Sequence, residues 1–232
     1  MDQTTILQQG IPVAAEDSEV RAAFIARTYA HLLGAVMLFT GLEVVLFATG
    51  AADSITETLL GTNWLLVMGA FILLGWLATR TAHRASSLPL QYLALLGYVV
   101  AEAIIFVPLL YIAEYASGGG VIATAAAITL VGFTALTAIV FVTRKDFSFM
   151  GGLLRWGGVV ALMAILSGVV FGFQLGTFFS VGMIALAGGS VLYDTSNILH
   201  RHPADRHVGA ALELFASLAL MFWYVLRLLS RR

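Results

Sequence analysis

Seven stretches of the chain stay apolar long enough to cross a bilayer, and short polar breaks separate them. A transmembrane helix needs about 20 predominantly apolar residues. Such runs fall at roughly 28–49, 63–80, 88–114, 120–142, 153–174, 177–199 and 208–228. The breaks read "GAADSITETLLGTN", "RTAHRASSLP", "EYASGGG", "TRKDFSFMGG", a very short one around Gly176, and "HRHPADRH". Strand-like alternation, the mark of a transmembrane barrel, is absent, and no internal repeat is visible. The pattern predicts an all-α polytopic membrane protein, with seven transmembrane helices over residues 27–232. Before it, "MDQTTILQQGIPVAAEDSEV" is polar and acidic and lacks the basic start of a secretory signal. Residues 1–26 are therefore expected to be a cytoplasmic tail without fixed structure, and the first span is expected to stay in the mature protein.

Composition sharpens this reading. The 232 residues are 60% hydrophobic and only 11% charged, against about 25% charged in soluble domains; the mean hydropathy is +0.94. A net charge of −1 offers nothing to nucleic acid, and the absence of cysteine excludes thiolate chemistry and disulfides. The single lysine, Lys145, lies in a polar break, so a retinal Schiff base inside the bundle is excluded. No phosphate-binding glycine loop is present, and "GGSVLYD" lacks the second glycine of a serine-nucleophile turn, so no enzyme is expected.

Arginine and lysine set the orientation, because cytoplasmic segments carry the excess. Arg21, Arg27, Arg80, Arg84, Arg144, Lys145, Arg155, Arg201 and Arg206 fall in the tail and in the second, fourth and sixth breaks. The other three breaks hold none. The N-terminus is therefore placed in the cytoplasm and the C-terminus outside, where Arg227, Arg231 and Arg232 run against the rule.

Ionisable residues inside spans are costly and tend to face the bundle interior. Glu43, Arg80, Glu102, Asp194 and Glu213 are the candidates. At about 1.5 Å per residue, Asp194 lies roughly 9 Å from the inner end of span six and Glu213 roughly 8 Å from that of span seven. The break between those spans is short, so the two carboxylates stand at similar depth on antiparallel neighbours. Ser190, Asp194, Asn197 and Arg201 share one helical face, and Glu213 and Ser217 share another. Facing each other, these stripes would line a pocket open to the cytoplasm, with Arg80 as the nearest cation. Such a cluster changes its charge with pH. The alternative is that Asp194 merely pairs with Arg201 at a wet helix end. Glu43 and Glu102, in the outer halves of spans one and three, are candidates for an ion route, with His31 and Asn197; the alternative is packing through hydrogen bonds. Asp194 and Glu213 are also the candidate Ca²⁺ ligands, and no cofactor is expected. "HRHPADRH" is read as a solvated, pH-sensitive loop rather than a metal site, because a proline interrupts its histidines. "GVVFGFQLG" sets Gly168, Gly172 and Gly176 at four-residue spacing, which either admits close helix approach or reflects the ordinary abundance of glycine in membranes.

"TRKDFSFMGGLL" (143–154), "LGYVVAEAIIFVPLL" (96–110) and "LYDTSNILH" (192–200) resemble the Bax inhibitor-1 family of seven-helix membrane proteins, and most closely its bacterial YccA-type branch. The resemblance runs from about Arg27 to Leu229. It implies six helices around a central, C-terminal seventh, in a bacterial inner membrane. It also implies that Asp194 belongs to a pH-sensing pair, near an arginine matched by Arg80, whose opening leaks Ca²⁺. Ser217 stands where the second aspartate of that pair would be. The YccA-type branch shares this serine and is linked to a membrane-embedded AAA protease. Two readings follow: a pH-sensitive Ca²⁺ or H⁺ leak with Glu213 replacing the missing aspartate, or a modulator of a membrane protease. Besides lipid, that protease is the one partner expected; the oligomeric state is not legible.

Overall fold

The structure is a computed structural model that describes residues 12–84, 87–117 and 119–231. Its long elements are eight α-helices: α1 (Ser18–Ala48), α2 (Ala51–Gly61), α3 (Trp64–Arg84), α4 (Leu88–Ala116), α5 (Val121–Thr143), α6 (Met150–Phe171), α7 (Thr177–His200) and α8 (His207–Leu229). All but α2 are long and apolar enough to cross a membrane, so the seven expected spans are present.

Two features differ from the sequence reading. The first polar break, expected as a loop, contains α2. Gly50 turns the chain out of α1 at a φ of 75°, in the left-handed region that glycine enters without strain. Asp53 then sits in the first turn of α2, where a negative charge suits the helix dipole. Ala52 and Thr56, one turn apart, are the buried pair, and α2 packs against α4. Eleven residues with so narrow an apolar face fall below any span threshold, which is why hydropathy alone misses them.

The second difference is at the start. α1 begins at Ser18, and a 3₁₀ turn at Val13–Ala15 precedes it. Val13 is fully buried and its N–H donates to the carbonyl of His202 at 2.9 Å. Residues 13–26 therefore have fixed structure, contrary to the expected tail; residues 1–11 lie outside the described residues.

α8 is the axis of the bundle. Buried positions make up 72% of its apolar window, against 0% for α6. It packs on α1, α3, α4, α5 and α7, while Tyr224 meets Ala161 of α6. Lipid tails are as apolar as leucine, so interlocking shape rather than water exclusion holds such helices together. Phe106 of α4 supplies much of that interlock, stacked on Phe222 at 5.6 Å and edge-on to Trp223 at 4.9 Å. Aromatic pairs in these arrangements are worth about 0.5–1.5 kcal/mol beyond their area.

α6 leans on α7 through glycines, though not those of the expected stripe. Gly172 has a φ of 73° and ends α6, and Gly176 is the extended residue before α7. The two helices meet at Gly151, where an added Cβ would lie 2.9 Å from the Tyr193 ring, and at Gly157, where it would lie 2.6 Å from Leu186.

Candidate functional site

Asp194 lies on α7 and is 8% exposed. Its Oδ2 accepts a hydrogen bond of 2.5 Å from Ser217 Oγ on α8. Asp194 and Ser217, one from each polar stripe of the last two spans, therefore meet. Arg201, the alternative partner for Asp194, is engaged elsewhere. Its guanidinium donates to Ser148 Oγ at 2.5 Å and lies 3.5 Å from Asp146 Oδ2. Asp146 in turn accepts from the Ser148 N–H at 2.8 Å, and that bond holds its carboxyl well below the usual range, at about 2. Ser196 Oγ accepts the Phe147 N–H at 2.9 Å. So the break after α5 is fastened onto the end of α7, and two segments far apart in sequence form one contact.

One turn from Ser217, Glu213 is bracketed by two imidazoles. His83 Nε2 of α3 stands 2.8 Å from Oε1, and His202 Nε2 stands 3.0 Å from Oε2. The two rings stack, with centroids 5.7 Å apart and planes 15° from parallel. A clamp thus joins α3, the loop between α7 and α8, and α8 itself.

Three sequence expectations need correction here. Arg80 is exposed, with its guanidinium 5.0 Å over the Trp76 ring; the cation-forming groups against the carboxylates are His83 and His202. The loop "HRHPADRH" is not wholly solvated, because the His202 side chain is 11% exposed and His207 is buried. The oxygens of Glu213 are taken by histidines, and no cluster of three or more His, Cys, Asp or Glu able to hold a metal occurs among the described residues. Both Glu213 oxygens thus face imidazole nitrogens, where the sequence led us to expect Glu213 paired with Asp194. His83 was missed because "RTAHR" was read as loop. It sits in the last turn of α3, and extending the helix through the break would have turned it toward α8.

The route candidates separate. Glu102, 5% exposed, lines a cavity of about 840 Å³ that also reaches Ser217. Glu43, 7% exposed with both carboxyl oxygens unpartnered, lines a different cavity of about 550 Å³. Asn197 is buried with its Oδ1 unpartnered. His31 is held by the Tyr92 hydroxyl at 2.8 Å, and its ring lies 5.0 Å from that of His207. Glu102 thus shares a cavity with Ser217, and Glu43 lines another.

A family model described as inhibitor of apoptosis-promoting Bax1 matches residues 21–232. The modulator of FtsH protease YccA from Escherichia coli is 30% identical, over 67% of this chain and 69% of its own. Bax inhibitor 1 of Schizosaccharomyces pombe is also 30% identical, over 94% of this chain and 80% of its own. A Golgi anti-apoptotic protein of vaccinia virus is 24% identical, over 95% and 90%.

Proposed function

The chain belongs to the family of inhibitors of apoptosis-promoting Bax1, and on that premise we propose that it is a pH-sensitive leak for Ca²⁺. The observation that carries this reading is the clamp of His83 and His202 on Glu213, one turn from the Asp194–Ser217 bond at the deep end of the larger cavity. Imidazoles change charge between about pH 5 and 8. The two rings hold Glu213 between them, so α3 and α8 stay joined. Charge on an imidazole strengthens such a hold, and its loss leaves Glu213 an uncompensated anion beside Asp194. Like charges at close range repel, and the helices part. Conduction therefore increases with pH, and Glu102 lies along the opened path.

A second reading, modulation of a membrane AAA protease, is favoured by the identity to the Escherichia coli relative, whose name states that role. One set of measurements separates the two. Ca²⁺ entry into proteoliposomes is followed across about pH 5 to 8 for the wild type, Asp194→Asn and Glu213→Gln. Either substitution should flatten the rise. If both keep the wild-type profile, the leak reading fails. A flux-silent protein that co-purifies with such a protease, and loses it on deletion of residues 1–20, supports the second reading.

A further inference from the structure

The larger cavity has two unlike ends. Its deep end carries Ser217 and Glu102; its far end, at the opposite side of the bundle from the histidine clamp, carries Arg227 and Arg231. Between them the wall is apolar, built from residues such as Phe71, Leu162, Ile165 and Leu220. Part of that wall belongs to α3 and part to α6, two helices that do not pack along each other. α6 is fastened to α7 instead, and the cavity lies between α3 and α6. Its volume of about 840 Å³ falls within the range of roughly 300–1,000 Å³ typical of ligand sites.

The two arginines are short of negative charge. No Asp or Glu pairs with Arg227 or Arg231 among the described ion pairs. Arg227 lies 6.0 Å from the Tyr224 ring, four residues before Arg231. Arg231 donates to the carbonyl of Leu175. A half-buried Arg227 and an exposed Arg231, like charges that both line an apolar cavity, call for an anion. Arginine presents a fork of donors suited to phosphate, and a phosphate carrying an acyl tail would match both ends of the feature.

We propose that the cleft between α3 and α6 binds one anionic glycerophospholipid, its acyl chain in the cavity and its phosphate on Arg227 and Arg231. This also accounts for the arginines that defy the positive-inside pattern: they are neutralised by lipid on that side.

Trp223 lines the cavity and reports on it once Trp64, Trp76 and Trp156 are changed to Phe. The protein is placed in phosphatidylcholine vesicles containing matched fractions of brominated phosphatidylglycerol or brominated phosphatidylcholine, and quenching of Trp223 is read. Brominated phosphatidylglycerol should quench more strongly, and Arg227→Gln/Arg231→Gln should bring the two to parity. Equal quenching before that change, or a preference surviving it, overturns the proposal. A second variant keeps the arginines. Gly158 lines the cavity, and an added Cβ there meets nothing within 4 Å, so Gly158→Phe should fill the cleft and lose quenching by both lipids. Undiminished quenching in that variant shows that no chain enters. Abolition of the preference by inorganic phosphate would assign the arginines to a soluble anion instead, and would equally overturn the proposal.

Discussion

Ser217 shows how much one hydroxyl can carry. It donates to a carboxylate that is nearly sealed from solvent, and a buried acceptor stripped of its donor costs about 1–3 kcal/mol. Ser217→Ala should therefore lower the thermal midpoint in detergent, whereas removing an exposed hydroxyl such as Thr58 should not. Asp146 makes a useful contrast. Its carboxyl is held at about 2 by the Ser148 N–H, below its ordinary value, so what it adds to stability is present above the ordinary aspartate range. That contribution is lost only as pH falls through about 2, which removes Asp146 as the source of any change near neutrality. Asp194 and Ser217 were legible in sequence because depth and helical face are fixed by counting residues. The histidine partners of Glu213 were not, because they lie on another helix and in a loop, and only tertiary packing brings them to it.

At the scale of elements, glycine position rather than glycine number decides how α6 sits. Gly151 and Gly152 are adjacent, yet an added Cβ meets the Tyr193 ring at 2.9 Å from the first and nothing within 4 Å from the second. Overpacking costs about 1–3 kcal/mol, while replacing an unneeded helical glycine by alanine gains up to about 1 kcal/mol. Gly151→Ala should lower the unfolding midpoint and Gly152→Ala should leave it level or raise it; equal shifts would mean that α6 does not rest on Tyr193. The sequence offers Gly168, Gly172 and Gly176 as one of two open readings, since regular spacing is visible and a facing tyrosine is not. The spans themselves were legible for a stronger reason. A bilayer requires backbone groups to be satisfied within the segment, so long apolar runs leave little choice but helix. α2, resting on two buried residues, has no such compulsion behind it.

Across the whole molecule, α8 gathers the bundle while the segment before α1 reaches back to it. Val13 is seated with no exposure, its N–H on the carbonyl of the same His202 whose ring holds Glu213. Placing a charge there, as in Val13→Asp, should unseat the segment and loosen the loop it covers. Trypsin would then cut faster at Arg201 and Arg206 than in the wild type; equal rates would show that the loop does not depend on Val13. Sequence patterning could not supply this contact, because a single buried valine in a polar, acidic stretch carries no period. Its consequence is mechanical. A machine that grips the residues ahead of Pro12 and draws them away would put tension first on the Val13 seat and then on the His202 backbone. The histidine clamp would feel that tension before any transmembrane helix moved, so force at one end of the chain would reach the carboxylate cluster by the shortest covalent and hydrogen-bonded path.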